Sequence, residues 1–333
     1  MPFTAPFAAM GYVGFVQFEG GAFQSNGLIR AFSADVRLSQ EITAPDVVDG
    51  STDRTAYQLG PKIVGGGVEF PAVFDRSGAG SSTADVATLI YDACVNRTTG
   101  GQLESQFNIS TRYTNQAASS FKYEDCIVNS FRFSVTQSDV IRIGIDVIGK
   151  SRIAAGPQTA TNFDNTRIAV WADALFNILD TSQNNLDISG NHVRSLEVNI
   201  NNNADRFYTL NGLLEPQDIA ARKRDVEGSV TLMGRHPDLG NAAFSNEDRC
   251  YEETKLGFGY SVNNANCSGA FGSVLPNVIL FIEELSLTND LFETTVRFRS
   301  LPAASLLTLN DDPLRRANAS VDLGVMFPGV TFP

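Results

Sequence analysis

The sequence predicts a mostly β chain in which one strand-rich unit is written twice. Two observations carry that expectation: short stretches of strict period-two alternation recur along the 333 residues, and several of them recur in phase at nearly fixed separations. A third bounds the class. With 43% apolar residues, 28 Gly and 13 Pro, the composition is that of an ordinary globular protein, and the length allows roughly two domains of about 150 residues each.

Gly11 to Phe18 reads as an apolar lead-in strand. Val36 and Leu38, then Val64, Gly66, Val68 and Phe70, alternate with other residues and predict a pair of strands. Their connection, residues 39–63, is far longer than the usual hairpin loop of about 2 to 5 residues, and long loops tend to carry function. Ser82-Thr83-Ala84-Asp85 has the form of a capping box, and Val86, Ile90, Ala93 and Cys94 follow at helical spacing, which predicts one amphipathic helix lying on the sheet. Phe133 and Val135, the polar turn Gln137-Ser138-Asp139 and the run Val140 to Ile148 predict a closing hairpin. In it Ile141, Ile143, Ile145 and Val147 share one face, and Arg142, Gly144 and Asp146 the other.

Ala154 to Asn165 is small and polar, as a linker is, and divides the chain into a first domain over 1–155 and a second over 156–333. Arg167 to Leu179 then repeats the lead-in. Val198 and Ile200 lie 162 residues beyond Val36 and Leu38, and the same offset carries Val64, Gly66, Val68 and Phe70 onto Val226, Gly228, Val230 and Leu232. The second long connection, residues 201–225, therefore has the length of the first. Asp238 to Cys250 shows only a weak helical pattern, so the helix is expected to be truncated in this copy. At an offset of 152, Phe133 and Val135 fall on Leu285 and Leu287; at 151, the closing strand falls on Phe292, Thr294, Val296 and Phe298, with Asn289-Asp290 as the turn. One position disagrees, since Phe131 aligns with Glu283.

Charge and rare residues exclude several function classes. The net charge of −12 is shared by both halves, −4 over residues 1–165 and −8 over the rest, whereas avid nucleic-acid binders are basic. No window holds the roughly 20 consecutive apolar residues of a membrane helix, and no Lys or Arg precedes Arg30, so no secretory signal, no membrane partner and assembly in a cytosol are expected. Cys94, Cys126, Cys250 and Cys267 form no C-x-x-C pair and read as buried free thiols. With only His192 and His236 as imidazoles, neither an enzyme nor a metal or cofactor site is expected.

The remaining motifs favour structural readings. Gly65-Gly66-Gly67 lacks the Lys and Ser or Thr of a phosphate loop and predicts a bulge or close backbone approach. Asp46, Asp49 and Asp53 miss the EF-hand spacing. Glu283 and Glu284 are neighbours on a strand and so point to opposite faces, unsuited to paired acid-base work. Arg222, Lys223 and Arg224 read as an ion-pairing interface patch. The basic residues comprise 20 Arg and 5 Lys, a bias that favours self-association through bidentate pairs.

The run Val193 to Asn201, then Phe207 to Gly212, Pro216 and Arg224 to Leu232, resembles the major tail tube proteins of tailed bacteriophages, and Phe281 to Leu287 with Arg297 to Pro302 adds to the likeness. The resemblance covers most of residues 190–302 and reaches residues 30–150 through the repeat. It implies two tandem copies of a tail-tube-like β-sandwich or barrel with a flanking helix, in a non-enzymatic structural subunit of the virion tail assembled in the host cytoplasm. Since most such proteins supply one domain to a six-membered ring, two domains per chain imply stacked homotrimeric, pseudo-hexameric rings of a long-tailed phage. Implied partners are further copies of the chain, a tape-measure protein in the lumen, the tail terminator and distal tail proteins, and genomic DNA in passive transit through an acidic lumen during ejection. Alternatives are another tail or contractile-injection ring component, or a secreted adhesive or carbohydrate-binding β-sandwich, which would carry a signal peptide and more aromatics than the lone Trp171 leads one to expect.

Contacts between successive rings are expected in the two long connections, where opposite charges can pair. The candidates are Asp46, Asp53 and Arg54 within Pro45 to Arg54, and Asp205, Arg206, Gln217, Asp218 and Arg222 in the second copy.

Overall fold

The computed structural model describes residues 14–20, 23–29, 31–43, 58–75, 86–95, 103, 106–113, 120–156, 166–179, 193–233, 256–262, 271–282, 293–300 and 315–316. The capping-box residues 82–85, the pattern over 238–250 and the turn at 289–290 lie outside them. In chain order the first half holds β1 (Gly14–Gly20), β2 (Phe23–Ile29), β3 (Ser33–Ala34), β4 (Arg37–Thr43), β5 (Gln58–Pro71), β6 (Val73–Asp75), α1 (Val86–Val95), β7 (Phe107–Tyr113), β8 (Phe121–Thr136), β9 (Arg142–Gly149) and β10 (Ser151–Ala154). The second half holds β11 (Thr166–Ile168), a 3-10 turn at Trp171–Asp173, β12 (Ala174–Leu179), β13 (Val193–Asn201), β14 (Asp205–Phe207), β15 (Asp218–Ala220), β16 (Asp225–Met233), β17 (Leu256–Val262), β18 (Phe271–Ile282), β19 (Glu293–Ser300) and β20 (Arg315–Arg316). Strand dominates, as the alternating patterns predict.

One antiparallel ladder runs β4-β5-β9-β8-β13-β16-β19-β18. Its two ends repeat one order, β4-β5-β9-β8 and β13-β16-β19-β18, and beyond β8 and β18 the order again matches, β7-β1 in one half and β17-β12 in the other. Register agrees too. Leu38 faces Val64 as Ile200 faces Val226, and Val68 faces Ile145 as Val230 faces Val296. The ladder corrects one alignment: Phe131 lies opposite Ile145, and the residue opposite Val296 is Ile282 rather than Glu283. The offset of 152 rests on Phe133 and Val135 against Leu285 and Leu287, which lie outside the described residues; the observed pairs give 151, the offset of the closing strand.

β8 belongs to two sheets. Its C-terminal part lies between β9 and β13, whereas residues from Phe121 to Cys126 pair with β7, which continues to β1 and β2. The passage is marked by Asp125 at φ 50 and by register shifts in both flanking ladders. A strand that turns this corner lets the second sheet fold over the first as a sandwich. Phe18 of β1 fills the space between them, 6.4 Å from the Phe70 ring and 5.8 Å from Phe107. Helix α1 lies on the same apolar face, its Tyr91 edge-on to Phe131 at 5.3 Å, with Ile90, Ala93 and Cys94 buried as their spacing predicts. Full burial of one such aromatic stabilises by roughly 2 to 3 kcal/mol.

The glycines of the repeat have steric causes. Gly66 adopts φ +146, and a Cβ there would stand 1.8 Å from the Asp35 carbonyl oxygen. At the matching position, a Cβ on Gly228 would stand 2.1 Å from the Glu197 carbonyl oxygen. Close backbone approach, rather than phosphate binding, explains the Gly65-Gly66-Gly67 run.

The halves interlock instead of hanging as beads on the 154–165 linker. β13 pairs along β8, β11 pairs with β6, and the Ala169 amide donates to the Ala72 carbonyl at 2.8 Å. Arg224, 3% exposed, crosses from the second half to the end of α1, where its guanidinium donates to the carbonyls of Cys94 at 3.2 Å and Val95 at 2.6 Å. A cation is well suited there, because the last carbonyls of a helix are unsatisfied and carry partial negative charge. This overturns one expectation. Arg224 is not part of an exposed patch with Arg222 and Lys223; just before β16 begins at Asp225 it turns inward while its two neighbours stay exposed.

Candidate functional site

Alternation gives the eight-strand ladder two unlike faces. Val64, Val68, Ile143, Ile145, Phe131, Phe133, Val198, Ile200, Val226, Val230, Val296 and Phe298 point into the core. The opposite face carries Arg37 and Ser39 on β4, Glu69 on β5, Arg142 and Asp146 on β9, Ser130, Arg132 and Ser134 on β8, Glu197 and Asn199 on β13, Asp225, Glu227 and Ser229 on β16, and Glu293, Thr295, Arg297 and Arg299 on β19. It is a polar surface continuous across both halves.

Its charges are set against one another. Arg132 reaches Glu197 at 3.0 Å across the junction of the halves, Arg142 reaches Glu69 at 3.2 Å, and Arg299 reaches Asp225 at 3.2 Å. Ser130 donates to Asp146 at 2.7 Å, and the Thr231 and Thr295 hydroxyls meet at 3.4 Å. The chain's surplus of acid does not collect here. Arg37, Arg132, Arg142, Arg297 and Arg299 stand against Glu69, Asp146, Glu197, Asp225, Glu227 and Glu293, leaving the face close to neutral. Exposed pairs of this kind contribute about 0 to 1 kcal/mol each to folding, so they tell more about the surface's character than about its stability. A shallow groove crosses it between Ser33, Asp35, Glu69, Arg132, Arg142 and Asp146. These groups can hydrogen-bond and pair. Among the described residues, no group of His, Cys, Asp or Glu is arranged to hold a metal ion.

The second long connection is a built arm. β14 and β15 form a small ribbon, which the first half holds: Arg206 donates to the Val64 carbonyl at 2.5 Å, the Tyr208 hydroxyl to the Lys62 carbonyl at 3.0 Å, and the Lys62 amide to the Leu214 carbonyl at 2.8 Å. Burial holds the Arg206 guanidinium below its ordinary range and raises the Tyr208 phenol. Ile219 and Ala221 pack with Ile127 and Leu103 beneath the ribbon. At its tip, Leu210 is fully exposed and Leu213 is 62% exposed; on β4 and β5, Ile42 and Leu59 are also exposed.

The expected loop contacts thus divide. Asp205 pairs with Arg222, both exposed, and Asp218 lies 3.8 Å from Lys150. The Gln217 side chain accepts from Asn211 at 3.0 Å. Arg206 is turned onto β5 within the chain. Asp46, Asp53 and Arg54 lie outside the described residues, as do His192, His236, Cys250, Cys267, Glu283 and Glu284. Cys94 and Cys126 are buried free thiols, and desolvation pushes the Cys126 thiol up to about 12. Sequence reasoning missed Asn202, whose side-chain amide donates to the Cys94 and Val128 carbonyls, each at 3.0 Å, and accepts from Arg224. No spacing signal marks it, because its partners lie 74 and 108 residues away.

No helix among the described residues is long and apolar enough to cross a membrane. The model of the family described as phage tail tube protein matches residues 4–249. No curated protein matches the chain.

Proposed function

Because the chain belongs to the phage tail tube protein family, it is a structural subunit of a virion tail that assembles with itself and other tail proteins, and from that premise we propose that three copies close into a pseudo-hexameric ring. The observation that carries this reading is the repeated strand order with matched register in the two halves, which supports a first tube domain over 1–155 and a second over 156–333. Each half lends four strands to the ladder, so a trimer would offer 24. A barrel of that size, with strands about 4.8 Å apart and tilted about 40°, has a backbone diameter near 48 Å and, after inward side chains, a bore of roughly 35 to 40 Å.

The polar face of the ladder would line that bore, since the other face is filled by core and helix. Three of its arginines, Arg132, Arg142 and Arg299, are engaged with carboxylates, which leaves fewer cations to release counterions from DNA phosphates and hold the duplex. Genomic DNA would pass, and a tape-measure protein would sit there before ejection, along a hydrated, near-neutral surface rather than the strongly acidic one anticipated from the total charge. Rings would stack through the long connections. The exposed Asp205–Arg222 pair, Gln217 and Asp218, together with the apolar tip at Leu210 and Leu213, favour this role, with Asp46, Asp53 and Arg54 as the matching contacts of the first copy. A terminator and distal tail proteins would close the two ends.

Electron microscopy of purified protein, concentrated or on an initiating complex, tests the proposal. Tubes with threefold rings are expected; rings of six chains would overturn the copy number, and the absence of any tube in both settings would overturn the assembly.

A further inference from the structure

Resting on the trimeric reading, we infer that neighbouring copies join by β4 of one laid antiparallel on the open edge of β18 of the next, with Leu38 opposite Ile282. The junction inside the chain is the template. There β13 takes β16 on one edge and the C-terminal part of β8 on the other. β4 holds the place of β13 in the first half: it has β5 on one edge, and no partner among the described residues on the other. β18 holds the place of β8. It pairs with β19 near its end and with β17 only up to Val278, so residues 279–282 have one edge without a partner among the described residues. Each chain therefore carries one complete junction and, at opposite ends of its ladder, the two halves of another.

The register follows from three observed pairings. Ile200 faces Phe131 across the internal junction. Ile200 corresponds to Leu38, since they face Val226 and Val64; Ile282 corresponds to Phe131, since they face Val296 and Ile145. Transferred, this sets Leu38 against Ile282 and, by the last pair of that ladder, Ser39 against Phe281. Burial agrees with a missing neighbour, because Ile200 is 0% exposed beside β8 while Leu38 is only partly buried. Neither Pro nor a bulge interrupts Leu38 to Gln40, and an unguarded edge of this kind invites another strand.

Chains carrying Ser39→Cys are mixed with chains carrying Phe281→Cys, assembled, and oxidised with glutathione disulfide. Directly opposed residues in an antiparallel pair have Cα atoms about 4.5 to 5.5 Å apart, within disulfide reach. A reducible two-chain product is expected, absent from the parent protein and from the slipped pair Arg37→Cys with Phe281→Cys. Tubes with three copies per ring that fail to link, or that link equally in the slipped pair, overturn the register while leaving the trimer standing; rings of another copy number overturn the trimer itself. If the variants do not assemble, amide exchange on parent tubes decides. Slowed exchange at 38–40 and 280–282 on assembly is expected, and unchanged exchange there refutes the contact.

Discussion

Replacing Arg224 by leucine should unfasten the two halves at the end of α1. The guanidinium is 3% exposed and donates to the Cys94 carbonyl, the Val95 carbonyl and the Asn202 amide oxygen at 3.2, 2.6 and 3.0 Å. Leucine fills part of the volume and satisfies none of them. Each buried acceptor left without its donor costs about 1 to 3 kcal/mol, so the variant should lose roughly 3 to 6 kcal/mol after some relaxation. Against the 5 to 15 kcal/mol typical of a domain, that is a large fraction. Urea unfolding of unassembled protein reads it, followed by far-ultraviolet dichroism and by Trp171, the single tryptophan, whose amide donates to the Asp139 carbonyl of the first half. Asn202→Ala should destabilise as well, and the double variant should cost less than the two losses added, with a coupling of about 1 kcal/mol or more. A loss below about 1 kcal/mol for Arg224→Leu, or strict additivity with Asn202→Ala, would refute the junction as described.

Three further outcomes follow from the same structure. Gly66→Ala and Gly228→Ala should both destabilise by more than about 1 to 3 kcal/mol in thermal melts, since each Cβ would meet a backbone oxygen, at 1.8 and 2.1 Å; a neutral result at either would break the steric parallel between the halves. The folded protein holds the Cys126 thiol neutral, raised from 9.0 to about 12, so this contribution to stability is full below pH 9 and is lost as pH rises toward 12. Cys126→Ala should flatten that alkaline decline in denaturant titrations at pH 8 and pH 10.5. Arg222→Glu should alter folding by no more than about 1 kcal/mol, its pair with Asp205 being exposed, yet shorten tubes or make them salt-sensitive under the microscope; tubes of normal length and salt resistance would remove Arg222 from the axial contacts.

Much of the architecture was legible because strand alternation and repeat spacing are local and cumulative. Ile141 to Val147 announced which face is buried, and the 162-residue offset anticipated which residues of β13 and β16 match those of β4 and β5. The one-residue error at Phe131 came from an offset of 152 fixed on Phe133 and Val135, whereas the paired residues keep the 151 of the closing strand. The polar face could be assembled from Arg142, Asp146, Thr295 and Arg297, but its near-neutrality could not: total charge says nothing of which side of a sheet holds it. Arg224 was misread for a related reason. Its neighbours Arg222 and Lys223 look alike in sequence, and what singles out Arg224 is its bonding to Asn202, Cys94 and Val95, which no local pattern marks.

The central claim is that one chain contributes two equivalent positions to each ring of the tube. Electron cryomicroscopy of assembled tubes, with chain identity traced through α1 in the first half and the β14–β15 arm in the second, measures this directly. Three chains per ring are expected, with α1 recurring three times around the wall. Six chains per ring, or rings in which only one half of each chain joins the barrel, would contradict the claim.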